Sequence, residues 1–336
     1  MTLPATTPTT GVQVAKDPSA RSTLLRRSLQ QMLAFAGLIA IFIVFSIASP
    51  VVFPSYTNVI QILFSAVVIG LLALGSTLVI ITGGIDLSVG TGMALCAVMA
   101  ATFIVTWHLP VLLGVVLAIL FGGLVGMVNG ISVALLKLPP FIATLAMMMV
   151  ASGLALVVSN KHPIYFDAGA YTDISTGTLI PGSNFPNAIL VYAVAAVVAA
   201  VLLGRTLLGR YDLAIGSNLE ATALSGVNVH KWTIIIYAVA GLFTGLAGVA
   251  ISARLGSAQP ATGQGYELYA IAAVVIGGTS LSGGKGSILG TVIGSLIIAV
   301  INNGLQIVSV PQEWQNVILG VVILLAVFAD QFRKRT

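Results

Sequence analysis

Few residues in this chain can do chemistry, and their spacing excludes most of it. The 336 residues hold nine acids, three histidines and one cysteine. No two carboxylates are spaced for general acid and base work, the histidines do not cluster, and no nucleophile has a base at useful spacing. Cys96 is alone inside an apolar run, which rules out a disulfide framework and a multi-cysteine metal site. The glycine-rich run GGTSLSGGKG, Gly277 to Gly286, contains a Gly284–Lys285 pair. It lacks the Ser or Thr that would follow the lysine and meet magnesium in a phosphate-binding loop, and no strand precedes it. These observations predict no catalytic residue, no metal site and no cofactor held by this chain.

Asp86, in GGIDLSVG, is the one acid close to the boundary of an apolar run with glycines around it. Two readings of it stay open. An acid at membrane depth is costly and can close an ion path; an Asp and a Ser where a helix begins can instead accept its orphan backbone N–H groups. The neighbouring glycines Gly83 and Gly84 allow a tight turn and a close backbone approach. The amides Gln61, Asn129, Asn302 and Asn303 interrupt otherwise apolar runs. They suit a passage for an uncharged hydroxylated solute, or they cap and bridge helices.

The elements that carry these residues are set by composition. Apolar residues make up 58% of the chain and charged residues 7%, with a mean hydropathy of +1.09, whereas a soluble domain carries about 25% charged residues. The chain is therefore a polytopic membrane protein. Its apolar runs are long and lack the alternation of lipid-facing strands, so the fold class is all-α. About ten transmembrane helices are expected, over 32–48, 59–81, 89–107, 111–136, 141–158, 188–203, 232–253, 268–276, 287–301 and 314–329. The eighth is too short and glycine-rich for a straight span and reads as a broken or re-entrant helix. Residues 1–30 read as a flexible tail, 31–329 as a single transmembrane domain with a polar loop over 204–231, and 330–336 as a basic tail.

With both termini cytoplasmic, twelve of the fourteen Lys and Arg residues fall inside and only Lys161 and Arg254 outside. Topology thus accounts for the net charge of +5, and no nucleic-acid partner is implied. Six residues of the first glycine turn recur 194 positions later: Gly83, Gly84, Leu87, Ser88, Gly90 and Gly92 match Gly277, Gly278, Leu281, Ser282, Gly284 and Gly286. Both sets face the same way, which predicts a parallel internal repeat. Small residues at helical spacing, Gly122, Gly126 and Gly130 on the fourth run, Gly241 and Gly245 on the seventh and Gly290 and Gly294 on the ninth, predict close helix packing.

The polar loop itself, Arg205 to Lys231, is the longest mixed-polar stretch that remains helix-compatible. A helix over Ala214 to Leu224, with Ala214, Gly216, Ala221 and Ala223 small enough to seat in a cleft, points to a separate motor subunit. Four stretches in order then carry a resemblance: GGIDLSVG from Gly83, VNGISVALLKLPPFIATLAMMM from Val128, GRYDLAIGSNLEATALSGVNVHKW from Gly209 and VVIGGTSLSGGKGSILGTVIG from Val274. In these the chain, from about Arg27 to Phe328, resembles the membrane-spanning permease subunits of bacterial ABC importers for ribose and related monosaccharides.

That resemblance implies a bacterial inner-membrane location, a second permease copy or homologous permease, and cytoplasmic ABC ATPase subunits that bind ATP and Mg. It also implies an extracytoplasmic sugar-binding protein, docked on 165–186 and 254–267, with Asp167, Asp173, Arg254 and Glu267 as interface charges. The coupling segment would include Tyr211, Asp212, Ala214, Gly216, Asn218, Glu220, Ala221 and Gly226. The alternative is an ion-coupled secondary transporter of a small polar solute, acting through Asp86 without an ATPase.

Overall fold

The computed structural model describes residues 20–167, 169–179 and 184–335, and for 20–31, 326 and 329–335 the backbone alone. The described chain is helical almost throughout; its two strands have two residues each. Twelve α-helices follow in order: α1 Ala20–Ala48, α2 Tyr56–Ile81, α3 Val89–Ala101, α4 Val111–Ala134, α5 Pro140–Val158, α6 Asn187–Arg205, α7 Leu207–Ser217, α8 Leu219–Leu224, α9 Val229–Leu255, α10 Tyr266–Ile276, α11 Ile288–Ile307 and α12 Gln312–Arg335. Among the described residues seven helical segments are long and apolar enough to cross a membrane, with shorter apolar helices at Met32–Ala48, Tyr266–Ile276 and Gln312–Leu325. This is an all-α polytopic membrane protein.

The two tails depart from expectation. Helix α1 begins at Ala20 and α12 runs to Arg335, because neither flank contains a Gly or Pro to stop a helix. Positions 1–19 of the expected tail lie outside the described residues.

Helix α2 is the axis of the bundle. In its most apolar stretch 94% of residues are buried inside the protein, against 28% for α4, 22% for α5 and 28% for α6, so the latter three present their apolar faces outward. Helices α4 and α9 make the closest pairing. A methyl group added at Gly122 or Gly126 would run into the α9 backbone at Gly241 and Tyr237, and one at Gly245 into Ile119. Small residues at one helical spacing thus let two backbones touch, where dispersion and not hydrophobic driving force must hold helices together in lipid.

The bundle has two distinct ends. At one, here the basic end, the α2–α3 turn, α7 and the α10–α11 loop meet; Lys285 lies in that loop. At the far end β1 (Ile164–Tyr165) pairs antiparallel with β2 (Ser257–Ala258), and Tyr171 Oη lies 2.7 Å from Ser252 Oγ. Helix α3 does not span from the basic end. Residues 82–88 are non-helical, and Gly92 packs on Thr244, halfway along α9. Helix α10, only 11 residues long, starts at the same depth, where Gly263 and Glu267 touch Gly90. Two broken helices therefore meet start to start inside the bundle, an arrangement tolerated where protein surrounds the irregular backbone.

Candidate functional site

At the basic end the two glycine turns are built alike. Thr82 and Gly277 close α2 and α10 in helical conformation, and Gly83 and Gly278 follow at φ +84° and +88°. The next N–H donates five residues back in each, Gly84 to Val79 O and Thr279 to Val274 O, both at 3.2 Å. Such a helix end needs a residue without a Cβ at the left-handed position. The structural correspondence is therefore Gly83 with Gly278, one residue off the register of the sequence echo. Beyond it the copies diverge. Ser88, Gly90 and Gly92 stand at the start of α3, whereas Ser282, Gly284 and Gly286 remain in a loop, because α11 begins only at Ile288.

The turns also interlock. Gly284 N–H donates to Ile81 O at 2.9 Å, and Gly216 of α7 sits against both, so that an added methyl would strike Ile81 O and Gly284 N. The polar loop over 204–231 folds as two helices instead of the single expected one. Asn218 leaves helical geometry (φ −160°, ψ 104°) and its Oδ1 accepts the Ala221 N–H at 2.9 Å, so it ends α7 and caps α8. Ile215 and Asp212 are buried and Gly216 packs inward, while Asn218, Glu220, Ala221, Leu224 and Gly226 are exposed. Ala214 is half-buried on α7. Tyr211 stacks at an angle on Trp232, with ring centroids 4.7 Å apart. The small residues of the expected helix are thus divided: Gly216 seats against the bundle itself, and only α8 presents Ala221 and Ala223 outward. Asp212 has neither carboxylate oxygen paired, and burial pushes its carboxyl well above the usual carboxylate range.

Asp86 lies in the non-helical stretch before α3. Its Oδ1 accepts from Ser88 N at 2.8 Å and Ser88 Oγ at 2.6 Å. Asn129 Nδ2 donates to Ser88 Oγ at 2.8 Å and to Asp86 Oδ2 at 3.4 Å. The helix-start reading needs one correction: Ser88 precedes α3 but makes no side-chain bond to its N–H groups. Asp86 instead ties down the loop three residues ahead of α3, and Thr144 of α5 pins the adjacent backbone, donating to Ile85 O at 3.0 Å. Asn129 belongs to this cluster; no sequence signal links it to an acid 43 positions earlier.

Toward the far end a cavity of about 550 Å³ lies among α2, α9, α10, α11 and α12. Helix α11 contributes Asn302, Asn303 and Gln306, and α12 contributes Gln312, Gln315 and Asn316. Arg254, from the end of α9, also faces it, together with Tyr266 and Tyr269. Arg254 is held over the Phe64 ring at 4.1 Å and donates to Phe64 O at 3.2 Å. Asn303 donates to Asn58 Oδ1 at 3.0 Å and Gln315 to Val310 O at 2.7 Å. Of the expected amides, then, Asn302 and Asn303 share this cavity, Asn129 is at the Asp86 cluster, and Gln61 lines a separate pocket with Tyr56 and Asn184. Arg254 and Glu267 do not stand on the surface as interface charges: Arg254 is pinned to α2, and Glu267 packs on Gly90 with one oxygen buried. Asp167 and Asp173 are exposed.

Apolar helices with irregular backbone at depth, a polar internal cavity and a folded polar hairpin at one end define a membrane permease component. The sequence profile of the family described as branched-chain amino acid transport system permease components matches residues 58–327, and the chain belongs to that family. The ribose import permease protein RbsC of Escherichia coli K12 is 41% identical over 317 residues, covering 94% of this chain and 98% of that one. The RbsC protein of Bacillus subtilis is 43% identical over 305 residues, 90% and 93% of the two chains. The fructose import permease protein FrcC of Rhizobium meliloti is 39% identical over 284 residues, 82% and 78% of the two chains. No solved structure matches the chain.

Proposed function

We propose that this chain is the transmembrane subunit of an ATP-driven importer, forming the path for a monosaccharide such as ribose or a related pentose or hexose. The observation that carries the coupling half of this reading is α7 and α8. One face of the hairpin is locked to both glycine turns through Gly216, while the other leaves Leu219 and Leu224 exposed, Leu224 by 89%. An apolar side chain that free of the bundle, on a hairpin joined through Gly216 to the end of α2 and to the α10–α11 loop, suits a docking knob for a motor subunit. With the basic end cytoplasmic, as the bias of Lys and Arg favours, ABC ATPase subunits holding ATP and Mg would seat on α8. Their movement would pass through Gly216 to the α2–α3 and α10–α11 turns together.

On this reading a binding protein delivers the sugar at the far end, over the exposed Asp167 and Asp173. A second permease copy, or a homologue, completes the path in the bacterial inner membrane. The chain itself hydrolyses nothing. The solute class rests on the ribose and fructose permeases that this chain resembles over most of its length. An ion-coupled mechanism through Asp86 has less support, because that carboxylate is buried and occupied by Ser88 and Asn129.

The test is uptake into proteoliposomes containing this chain, its candidate ATPase and its candidate binding protein, with a panel of labelled pentoses and hexoses. Accumulation that stops when ATP or either partner is left out is the expected result. Accumulation by this chain alone under an imposed ion gradient would overturn the reading.

A further inference from the structure

The cavity at the far end is lined by more hydrogen-bonding capacity than the fold uses. Asn303 and Gln315 are spent on Asn58 and Val310, and Asn316 Oδ1 accepts only a long bond from Tyr269 Oη at 3.5 Å. Among the described residues the side chains of Asn302, Gln306 and Gln312 have no hydrogen-bond partner, although each lines the same space. Asn302 is half-buried and Gln306, Gln312 and Asn316 are exposed, so amides from two adjacent helix ends face one water-accessible cavity. A ligand with matching donors and acceptors exchanges its bonds to water for bonds to these amides. Asn303 Oδ1, buried and without a partner, adds an acceptor on the same turn of α11.

The lining also selects a chemical class. Among the described residues no acid lines the cavity, and the one formal charge, Arg254, is already engaged by the Phe64 carbonyl and ring. What remains is a set of neutral amides, each offering both donors and an acceptor, which suits a solute rich in hydroxyl groups. Tyr266 and Tyr269, with centroids 6.0 Å apart and planes at 71°, supply the apolar surface against which the C–H face of a sugar ring packs. The volume of about 550 Å³ lies within the usual range for small-molecule sites, about 300–1,000 Å³.

We infer that this cavity is a monosaccharide subsite within the permease itself, with Asn302 and Gln306 as its hydrogen-bonding residues and Tyr269 as its stacking surface. The inference rests on the importer reading and adds to it that the membrane subunit discriminates between sugars. A neutral sugar entering from the far end exchanges water for these amides halfway to the broken helices. Displacement of α10, whose first turns carry Tyr266 and Tyr269, then alters the site from the basic end.

The test uses the complete transporter in proteoliposomes, comparing wild type with Asn302→Leu, Gln306→Leu and the double variant. Labelled ribose is the substrate, with fructose, xylose, arabinose and a neutral sugar's uronic acid as competitors. The double variant is expected to raise the half-saturating concentration of sugar, supplied on saturated binding protein, by about tenfold or more, as two lost hydrogen bonds would. It should also change the order of preference among the competitors while leaving ATPase assembly intact. If the double variant fails to assemble, Gln306→Glu alone decides, since a carboxylate keeps the shape and loses the donors. Wild-type uptake with the same saturation and the same sugar preference in every assembled variant would overturn the subsite and leave the importer reading standing. A uronic acid competing as well as its neutral parent would overturn the neutral-sugar assignment. Absence of uptake of every sugar by the wild type would instead sink the importer reading.

Discussion

The two ends of this bundle are built by opposite means. At the basic end contact is backbone on backbone: Gly216 on Ile81 and Gly284, Gly277 on Gly290, and Gly294 on Ala273. At the far end side chains stand apart around an open cavity, and several of its amides bond to nothing in the protein. A backbone interlock has no rotamer to absorb a displacement, so it transmits movement; an amide-lined space adapts to what enters it. The same contrast predicts that the basic end accepts almost no added volume, whereas the far end accepts substitutions that keep its polarity.

The sharpest way to break the comparison is Gly216→Val. Any Cβ at this position meets the Ile81 carbonyl and the Gly284 amide, and both are backbone groups that cannot step aside. ATP-driven uptake is expected to fall by more than about tenfold, with a destabilisation of about 1–3 kcal/mol, the usual cost of overpacking. The partner variant Glu220→Arg lies on exposed α8. It is expected to weaken co-purification of the ATPase while leaving the thermal midpoint of the permease unchanged. If Gly216→Val transports normally, the interlock does not carry coupling.

A second variant examines the same principle away from the basic end. Gly126 faces Tyr237 and Gly241 across the α4–α9 seam, so Gly126→Leu must separate two helices along their closest line. A loss of about 1–3 kcal/mol is expected, read as a lower midpoint of thermal unfolding in detergent. Substituting Gly320 of α12, which has open space beside it, with alanine should change the midpoint little; equal effects of the two would deny the seam its role.

Much of this was legible before any coordinates. The glycine spacing on α4 and α9 pointed to close packing of each, because small residues every four positions leave a smooth stripe on one helix face, but not to which helix each would meet. The polar loop over 204–231 stood out by composition, and the brevity of the eighth apolar run announced a broken helix. Three features were hidden for physical reasons. The break at Asn218 has a signal, an Asn followed by Glu220 in a helix's first turn, but a continuous helical pattern on both sides masks it. Asn129 finds its partners 41 and 43 positions away, and no local pattern encodes a contact that tertiary packing creates. The cavity takes its lining from five helices, so Asn302 stays open between a solute passage and a helix cap until α12 and α10 are placed beside it. The echo between the two glycine turns found real kinship in their helix ends but in the wrong register, since matching letters weigh a loop residue and a helix residue alike.

Asp212 offers a smaller effect with a definite sign. Its carboxyl is raised by burial and has no hydrogen-bond partner in the protein. In the unfolded chain it ionises near the ordinary carboxylate value, whereas in the fold it holds its proton to higher pH. Unfolding then releases a proton, and this residue's contribution to stability is fully present at acid pH. It falls away as pH rises from the unfolded value through the raised folded one. Asp212→Asn, which removes the titration, is expected to raise the thermal midpoint at pH 8 and to flatten its decline between pH 5 and 8. An unchanged slope would mean that the carboxylate finds a counter-charge or water that leaves it ionised.

The smallest expected effect lies at Thr77 and Thr291, each within about one turn of the basic-end termini of α2 and α11. Their hydroxyl oxygens are 2.7 Å apart, and each also lies within reach of a carbonyl of its own helix, Ala73 O at 2.7 Å and Ser287 O at 3.1 Å. Three bonds are drawn, but two hydroxyls own only two protons, so one bond is always unmade. If Thr77 donates to Ala73, Thr291 must donate to Thr77 and leaves Ser287 without it; the reverse holds equally. Replacing Thr77 with Val keeps the shape and removes one proton together with one acceptor, after which Thr291 still bonds Ser287. The loss is therefore expected near 0.6 kcal/mol, about the average for a hydrogen bond between membrane helices. A double variant with Thr291→Val should cost little more than the first. A strongly additive pair would show that both hydroxyls are separately satisfied, most simply by a water that the small side chains on α2 and α11 leave room to admit.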